Sequence, residues 1–180
     1  MSKIAYKNPF SLLLKFKRIV WIFVYYTFYS IFPGKTFNAY RLIILKLFGA
    51  TIGKNVVIYS NSKIWAPWNM IIGNYSCIGP RVNFYNQGII SIGDNVIISQ
   101  DSTLSSSTHN TESMNFELVI KSIVIKEMSW IASEAFVGPG SIIEVGTIIG
   151  ARSVVFGLTE SWSVYIGNPA VKIKNRKKIV

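Results

Sequence analysis

The sequence of 180 residues is poor in three things. It has one cysteine, Cys77, and one histidine, His109. It has no Asp or Glu before Asp94, although eleven Lys and Arg fall within residues 1–93. Each scarcity excludes something. A lone cysteine cannot form an intramolecular disulfide framework, which suits a reducing compartment. Cys77 sits in a periodic apolar stretch and reads as buried filler rather than a reactive thiol. One histidine and one cysteine are too few for a catalytic three-ligand zinc site of the His/Cys type, so no metal is expected. The missing acids leave the first half of the chain wholly cationic. Residues 94–180 carry eight charges of each sign, with the acids at 94–160 and five bases crowded into 172–178. Phosphates or an anionic membrane surface fit this distribution. Nucleic acid fits it poorly, because zinc-finger spacing, a ribonucleoprotein motif and a basic recognition helix are all absent. Long hydrophobic runs are also lacking. The uncharged run at 19–32, "IVWIFVYYTFYSIF", has fourteen residues, and a spanning helix needs about 20. No Ala-x-Ala cleavage site follows it, so it is not read as a signal peptide.

What is present is a repeat. Half of the residues are apolar, enough for the core of one domain. Stepping by six from Ile125 meets Ile131, Val137, Ile143, Ile149 and Val155, all aliphatic. Four residues after each of the six stand Ser129, Ala135, Ser141, Thr147, Ser153 and Thr159, all small. The phase recurs upstream as Ile52/Ile58/Ile64, Ile72/Ile78/Phe84 and Ile92/Ile98/Leu104, then disappears until Ile125. A period of six matches neither a helix nor simple alternation. An ordinary sandwich of alternating strands cannot produce strict sixes. A solenoid of short strands and turns can, with three steps closing a triangular coil and the aliphatics stacked inside. Glycine follows several of the aliphatics, as a turn requiring positive φ would want.

This register, with "WIASEAFVGPGSIIEVGTIIGARSVV" and the ending "GNPAVKIKNR", resembles the hexapeptide-repeat acyltransferases. The resemblance covers residues 50–174. "FNAYRLIILKLFGATIGKNVVI" and "IWAPWNMIIGNYSCIG" are similar, more narrowly, to O-acetyltransferases of colanic-acid and other exopolysaccharide synthesis, and the galactoside and maltose acetyltransferases form a related group. The resemblance implies a mainly β fold: a left-handed parallel β-helix at 51–166, an N-terminal helical segment at 1–50, an extruded loop at about 105–122 and a basic C-terminal tail at 167–180. It also implies a homotrimer with active sites between subunits, acetyl-CoA as donor, a sugar or glycan acceptor and a cytoplasmic location.

The break in the repeat holds His109, in "STLSSSTHNTESMN", where little else is apolar before Met114. A coil that interrupts its period extrudes a loop, and residues 105–117 are polar enough to lie on the surface. Acetyl transfer to a hydroxyl requires removal of the hydroxyl proton, and a neutral imidazole can do this. The family places a histidine at this loop, so His109 is the expected general base. An inert surface histidine is the alternative.

The resemblance puts Trp130 beside the thiol end of coenzyme A, Ser133 against its pantetheine arm and Ala151 at a backbone contact to that arm. Packing at a subunit interface would explain Trp130 as well. Lys172 and Lys174, with Arg176, Lys177 and Lys178, form an expected clamp for the coenzyme phosphates, or else a solvated tail. The family commonly has a base directly after Gly-Asn-Pro-Ala, where this chain has Val171 and then Lys172. For the acceptor, Asn83, Tyr85 and Asn86 in "NFYNQG" offer amides beside an aromatic face, though Asn also simply forms turns. No Gly-x-Ser-x-Gly nucleophile motif occurs, which favours direct transfer in a ternary complex.

Residues 1–50 admit two readings. A second segment, "FNAYRLIILKLFGA", has apolar residues at helical spacing, with Arg41 and Lys46 off the stripe. Two helices could cap the open end of the β-helix, or lie on the inner face of the cytoplasmic membrane. Among functions, an exopolysaccharide O-acetyltransferase leads. A xenobiotic or small-metabolite acetyltransferase of the same fold and a non-catalytic scaffold are the alternatives. Serine acetyltransferase would need a large helical N-terminal domain.

Overall fold

The structure, a computed structural model, describes residues 9–178. Every position in the six-residue register points inward. Ile52, Ile72, Ile92, Ile125 and Ile143 stand in one parallel ladder. Ile58, Ile78, Ile98, Ile131 and Ile149 stand in a second. Ile64, Phe84, Leu104, Val137 and Val155 stand in a third. All fifteen are buried in one core. The ladders are the inner rows of sheets I, II and III of a left-handed parallel β-helix, with five full coils and the start of a sixth. The small residues four positions later are buried at the corners. Their hydroxyls close the corner carbonyls: Ser76 Oγ donates to Gly93 O at 2.8 Å, Ser129 Oγ to Glu144 O at 2.9 Å and Thr147 Oγ1 to Glu160 O at 2.8 Å.

The glycines after the aliphatics have a different role from the one expected. Gly53, Gly73, Gly79, Gly93, Gly138 and Gly150 do not have positive φ. A Cβ on Gly73 would stand 2.6 Å from the Gly93 carbonyl carbon, and one on Gly93 would stand 2.7 Å from Glu127 N. Glycine is needed there because successive coils stack corner on corner. The left-handed conformation falls two residues later on Asn55, Tyr75 and Asn95 at one corner and on Arg81, Asp101, Glu134 and Arg152 at another.

Cys77 is half-buried, because it occupies the outward position of the strand Cys77–Ile78, whose inward position is Ile78. Burial raises its thiol pKa, the nearby Lys35 charge opposing.

The first coil would present three edge strands. Two helices cover it, which is the capping reading of the N-terminal segment: α1 (Leu12–Val24), continued by a π-helical turn at Tyr25–Tyr29, and α2 (Asn38–Leu47). Trp21 Nε1 donates to Ile64 O at 2.8 Å, Tyr25 Oη to Ser62 O at 3.2 Å and Asn38 Nδ2 to Val56 O at 2.7 Å. Asn38 Oδ1 accepts from Ile58 N at 2.9 Å. Pairing these exposed ladder groups removes a template for aggregation. Arg41, expected off the buried stripe, is fully buried. It donates to Ile58 O, Phe32 O and Gly34 O at 3.2, 3.3 and 2.6 Å, so backbone oxygens take the place of water. Burial lowers its pKa, the nearby Tyr29 opposing.

At the other end residues 163–175 do not trail away as a free tail. Ser163–Gly167 joins sheet II, turns, and returns antiparallel as Ala170–Asn175.

Candidate active site

The expected loop is a β-hairpin. Ser107–His109 pairs antiparallel with Leu118–Ile120, with His109 opposite Leu118. Its base is not surface, as the polar composition suggested: Ser105, Ser106 and Ser107 are buried. Ser106 Oγ accepts from Gly88 N at 2.8 Å, which fastens the hairpin to the neighbouring coil, and Ser106 O accepts from Lys121 N at 2.9 Å, which closes the base of the hairpin. The tip bonds to itself. Asn110 N reaches Glu117 O at 2.9 Å, and a hydrogen bond from Ser113 holds the Glu117 carboxyl below the usual carboxylate range.

His109 is exposed, and its Nδ1 lies 2.6 Å from Phe116 O. A carbonyl only accepts, so Nδ1 carries the hydrogen and the neutral ring keeps its lone pair on Nε2. Phe116 presents that carbonyl from a left-handed backbone with φ 46°. Any residue has a carbonyl, so no sequence signal marked this partner.

Trp130 lies outward on sheet II, and its Nε1 donates to Ser99 Oγ at 2.9 Å. It borders a cleft of about 280 Å³ with Asn95, Ile97, Met128, Ser129, Trp162 and Arg176. Arg176 closes one side, donating from Nη1 to Met128 O at 2.9 Å and Gly146 O at 2.8 Å. Trp130, Ile148, Val164 and Lys174 are directly opposite one another on successive strands. Opposed residues share a face, and three strand spacings amount to about 14 Å. Ser133 and Ala151 open the turns at one corner of consecutive coils, with Arg152 N donating to Ser133 O at 3.0 Å. Lys172 is not free as expected: its Nζ is 2.5 Å from Glu160 Oε2. Lys174 is exposed and has no carboxylate partner among the described residues.

The three acceptor candidates separate. Asn83 and Tyr85 line a cavity of about 190 Å³ between α1 and sheet III, with Arg18, Tyr26, Lys63 and Trp65. Tyr85 is opposite Ser105, from which the His109 hairpin departs. Asn86 is elsewhere engaged. It is fully buried, its Oδ1 accepting from Ala66 N at 2.9 Å and its Nδ2 donating to Ala66 O at 2.6 Å. That side chain clips two coils together and has no free amide for a sugar. Arg18 was missed in sequence, although it ends the basic "KFKR" run. It stacks 4.3 Å over the Trp65 ring and donates to Trp65 O, and burial lowers its pKa, the nearby Tyr85 opposing.

No family model matches the chain. A protein of Escherichia coli strain K12 named for colanic acid biosynthesis acetyltransferase, WcaF, is 45% identical over 137 residues, 76% of this chain and 75% of that one. The chain belongs to the hexapeptide-repeat acetyltransferases. It is an enzyme of the acyltransferase class. A galactoside acetyltransferase solved in complex with coenzyme A is 26% identical, with TM-score 0.83 over 93% of this chain and 84% of that one. A hexapeptide-repeat acetyltransferase of Vibrio cholerae is 19% identical and shares the fold, with TM-score 0.84 over 93% and 95% of the two chains.

Proposed function

We propose that this acetyltransferase moves the acetyl group of acetyl-CoA to a sugar hydroxyl in exopolysaccharide synthesis, with His109 as general base. The observation that carries this reading is the His109–Phe116 contact. It fixes the imidazole at the edge of an extruded hairpin, and among the described residues its Nε2 has no hydrogen-bond partner. That nitrogen takes the hydroxyl proton as the oxygen attacks the thioester carbonyl. Coenzyme A leaves as the thiol, and transfer is direct within a ternary complex. The outward row from Trp130 to Lys174 supports a donor path along sheet II, the aromatic end near the thioester and the cationic end near the phosphates. The cavity of Asn83, Tyr85, Trp65, Arg18 and Lys63 supports an acceptor site, since sugars stack on rings and bond to amides. Its two cations favour a sugar carrying phosphate or carboxylate. The 45% identity to WcaF supports exopolysaccharide precursors as the acceptor class. A homotrimer would complete the site between subunits.

The test is an acetyl-transfer assay from acetyl-CoA, corrected for hydrolysis, against nucleotide sugars, lipid-linked glycans and small non-sugar alcohols. Transfer to a sugar that His109→Ala slows by about 10²–10⁴ is expected. Transfer confined to the non-sugar alcohols would overturn the acceptor class.

A further inference from the structure

The capping helices are apolar on both sides. The inward row of α1 and its π-helical continuation faces the solenoid, with Trp21 buried and Arg18 and Tyr25 half-buried. The outward row is Leu12, Phe16, Ile19, Phe23 and Tyr26, at helical spacing and 62–83% exposed. A cap facing only water would carry polar residues there. Helix α2 adds Ile43 and Leu47, exposed at 58% and 81%. Leu13, Phe16, Val20 and Leu47 line one groove, so the outer faces of the two helices are continuous. Single exposed apolar residues are ordinary, but a contiguous patch of this kind marks a binding surface.

We propose that this face docks the enzyme on an anionic lipid surface. Charge selects the occupant. Lys17 and Lys46 stand at the groove and beside Leu47, and no Asp or Glu precedes Asp94 to offset them. Two copies meeting on this face would bring cation against cation, whereas anionic headgroups satisfy both the charge and the apolar surface. Phe and Tyr on the outer row suit the headgroup boundary. The geometry is that of lying on the membrane, because among the described residues no helix is long and apolar enough to cross it.

The experiment is vesicle flotation of the full chain, with phosphatidylcholine alone and with added phosphatidylglycerol, at low and high salt. Binding is expected with phosphatidylglycerol at low salt, and weaker binding in the other conditions. Losing one large apolar contact weakens association by on the order of tenfold. Phe16→Glu/Phe23→Glu should therefore reduce bound protein by at least that factor. Phe16→Gln/Phe23→Gln should also reduce it, with an unchanged melting temperature, since both side chains are outside the core. Three results would overturn the proposal. The chain could remain unbound in every condition, or bind neutral vesicles equally well. Without vesicles, it could form a larger assembly that the double variants dissolve, which would make a second copy the occupant.

Discussion

The Nδ1 of His109 lies 2.6 Å from the carbonyl oxygen of Phe116, across the mouth of a hairpin tip. The contact is to backbone, so it depends on chain geometry and not on the Phe116 side chain. His109→Ala should lower turnover by about 10²–10⁴, the usual loss for a general base. Its melting temperature should be unchanged, because His109 is exposed. Phe116→Gly accepts the observed φ of 46° and should stay near wild-type activity. Phe116→Pro, fixed near −65°, redirects the carbonyl and should lose much of kcat. Steady-state kinetics with calorimetry separate these outcomes. Wild-type turnover in His109→Ala would remove the base.

Asn83 and Asn86 should behave as opposites. Asn86→Ala leaves the Ala66 N–H and C=O unpaired in a buried place. Its expected cost is about 1–3 kcal/mol of stability, read by denaturant unfolding. Asn83→Ala should leave unfolding nearly unchanged and raise the acceptor KM, because Asn83 borders the open cavity beside Tyr85.

The glycine substitutions distinguish stacking from backbone conformation. Gly73→Ala places a Cβ 2.6 Å from the Gly93 carbonyl carbon, in a coil that cannot shift alone. Overpacking of this kind costs about 1–3 kcal/mol. Gly157→Ala meets nothing within 4 Å and bears only the strain of φ +74°, about 1 kcal/mol. The order of melting temperatures should follow, with Gly73→Ala the lower.

Tyr75 holds φ 56° in a column where the equivalent positions of the two adjoining coils are Asn55 and Asn95. Its side chain is exposed, so little packing is lost on replacement. Tyr75→Asn should raise stability by a few tenths to about 1 kcal/mol, because Asn tolerates the left-handed region better than an aromatic residue. A lower melting temperature would show that the ring contributes contacts.

The inward rows could be read from sequence because they repeat every six residues. Ile52 through Val155 needed no knowledge of what stacks on what. Contacts between coils were less legible. Asn86 reaches Ala66, and Asn74 Nδ2 reaches the Asp94 carboxylate at 3.1 Å, each across twenty residues. Such a contact leaves no local pattern, so the sequence alone leaves Asn86 between a sugar ligand and a turn former, and makes turn formers of the glycines. Arg41 misled for a related reason, since its partners are carbonyls, which every residue has. His109 stands out through its scarcity, its place in the break of the repeat and the family resemblance, while the hairpin that orients it is hidden in polar composition.

The two lysines expected to hold coenzyme phosphates should now contribute unequally. Lys172 is paired with Glu160 at 2.5 Å, whereas Lys174 is exposed and in the row that begins at Trp130. A ligand phosphate must compete with Glu160 for Lys172 but not for Lys174. Coenzyme A should raise the melting temperature by binding the folded state. Lys174→Ala should weaken that binding by about tenfold, the scale of one charged hydrogen bond. Lys172→Ala should weaken it less, and Glu160→Gln should strengthen it by freeing Lys172. Added salt should reduce the Lys174 effect most, because that charge is solvent-exposed. Calorimetric titration with coenzyme A measures all three variants. Equal losses at Lys172 and Lys174 would mean that the Glu160 pair opens on binding, and no loss at either would move the phosphates away from this strand.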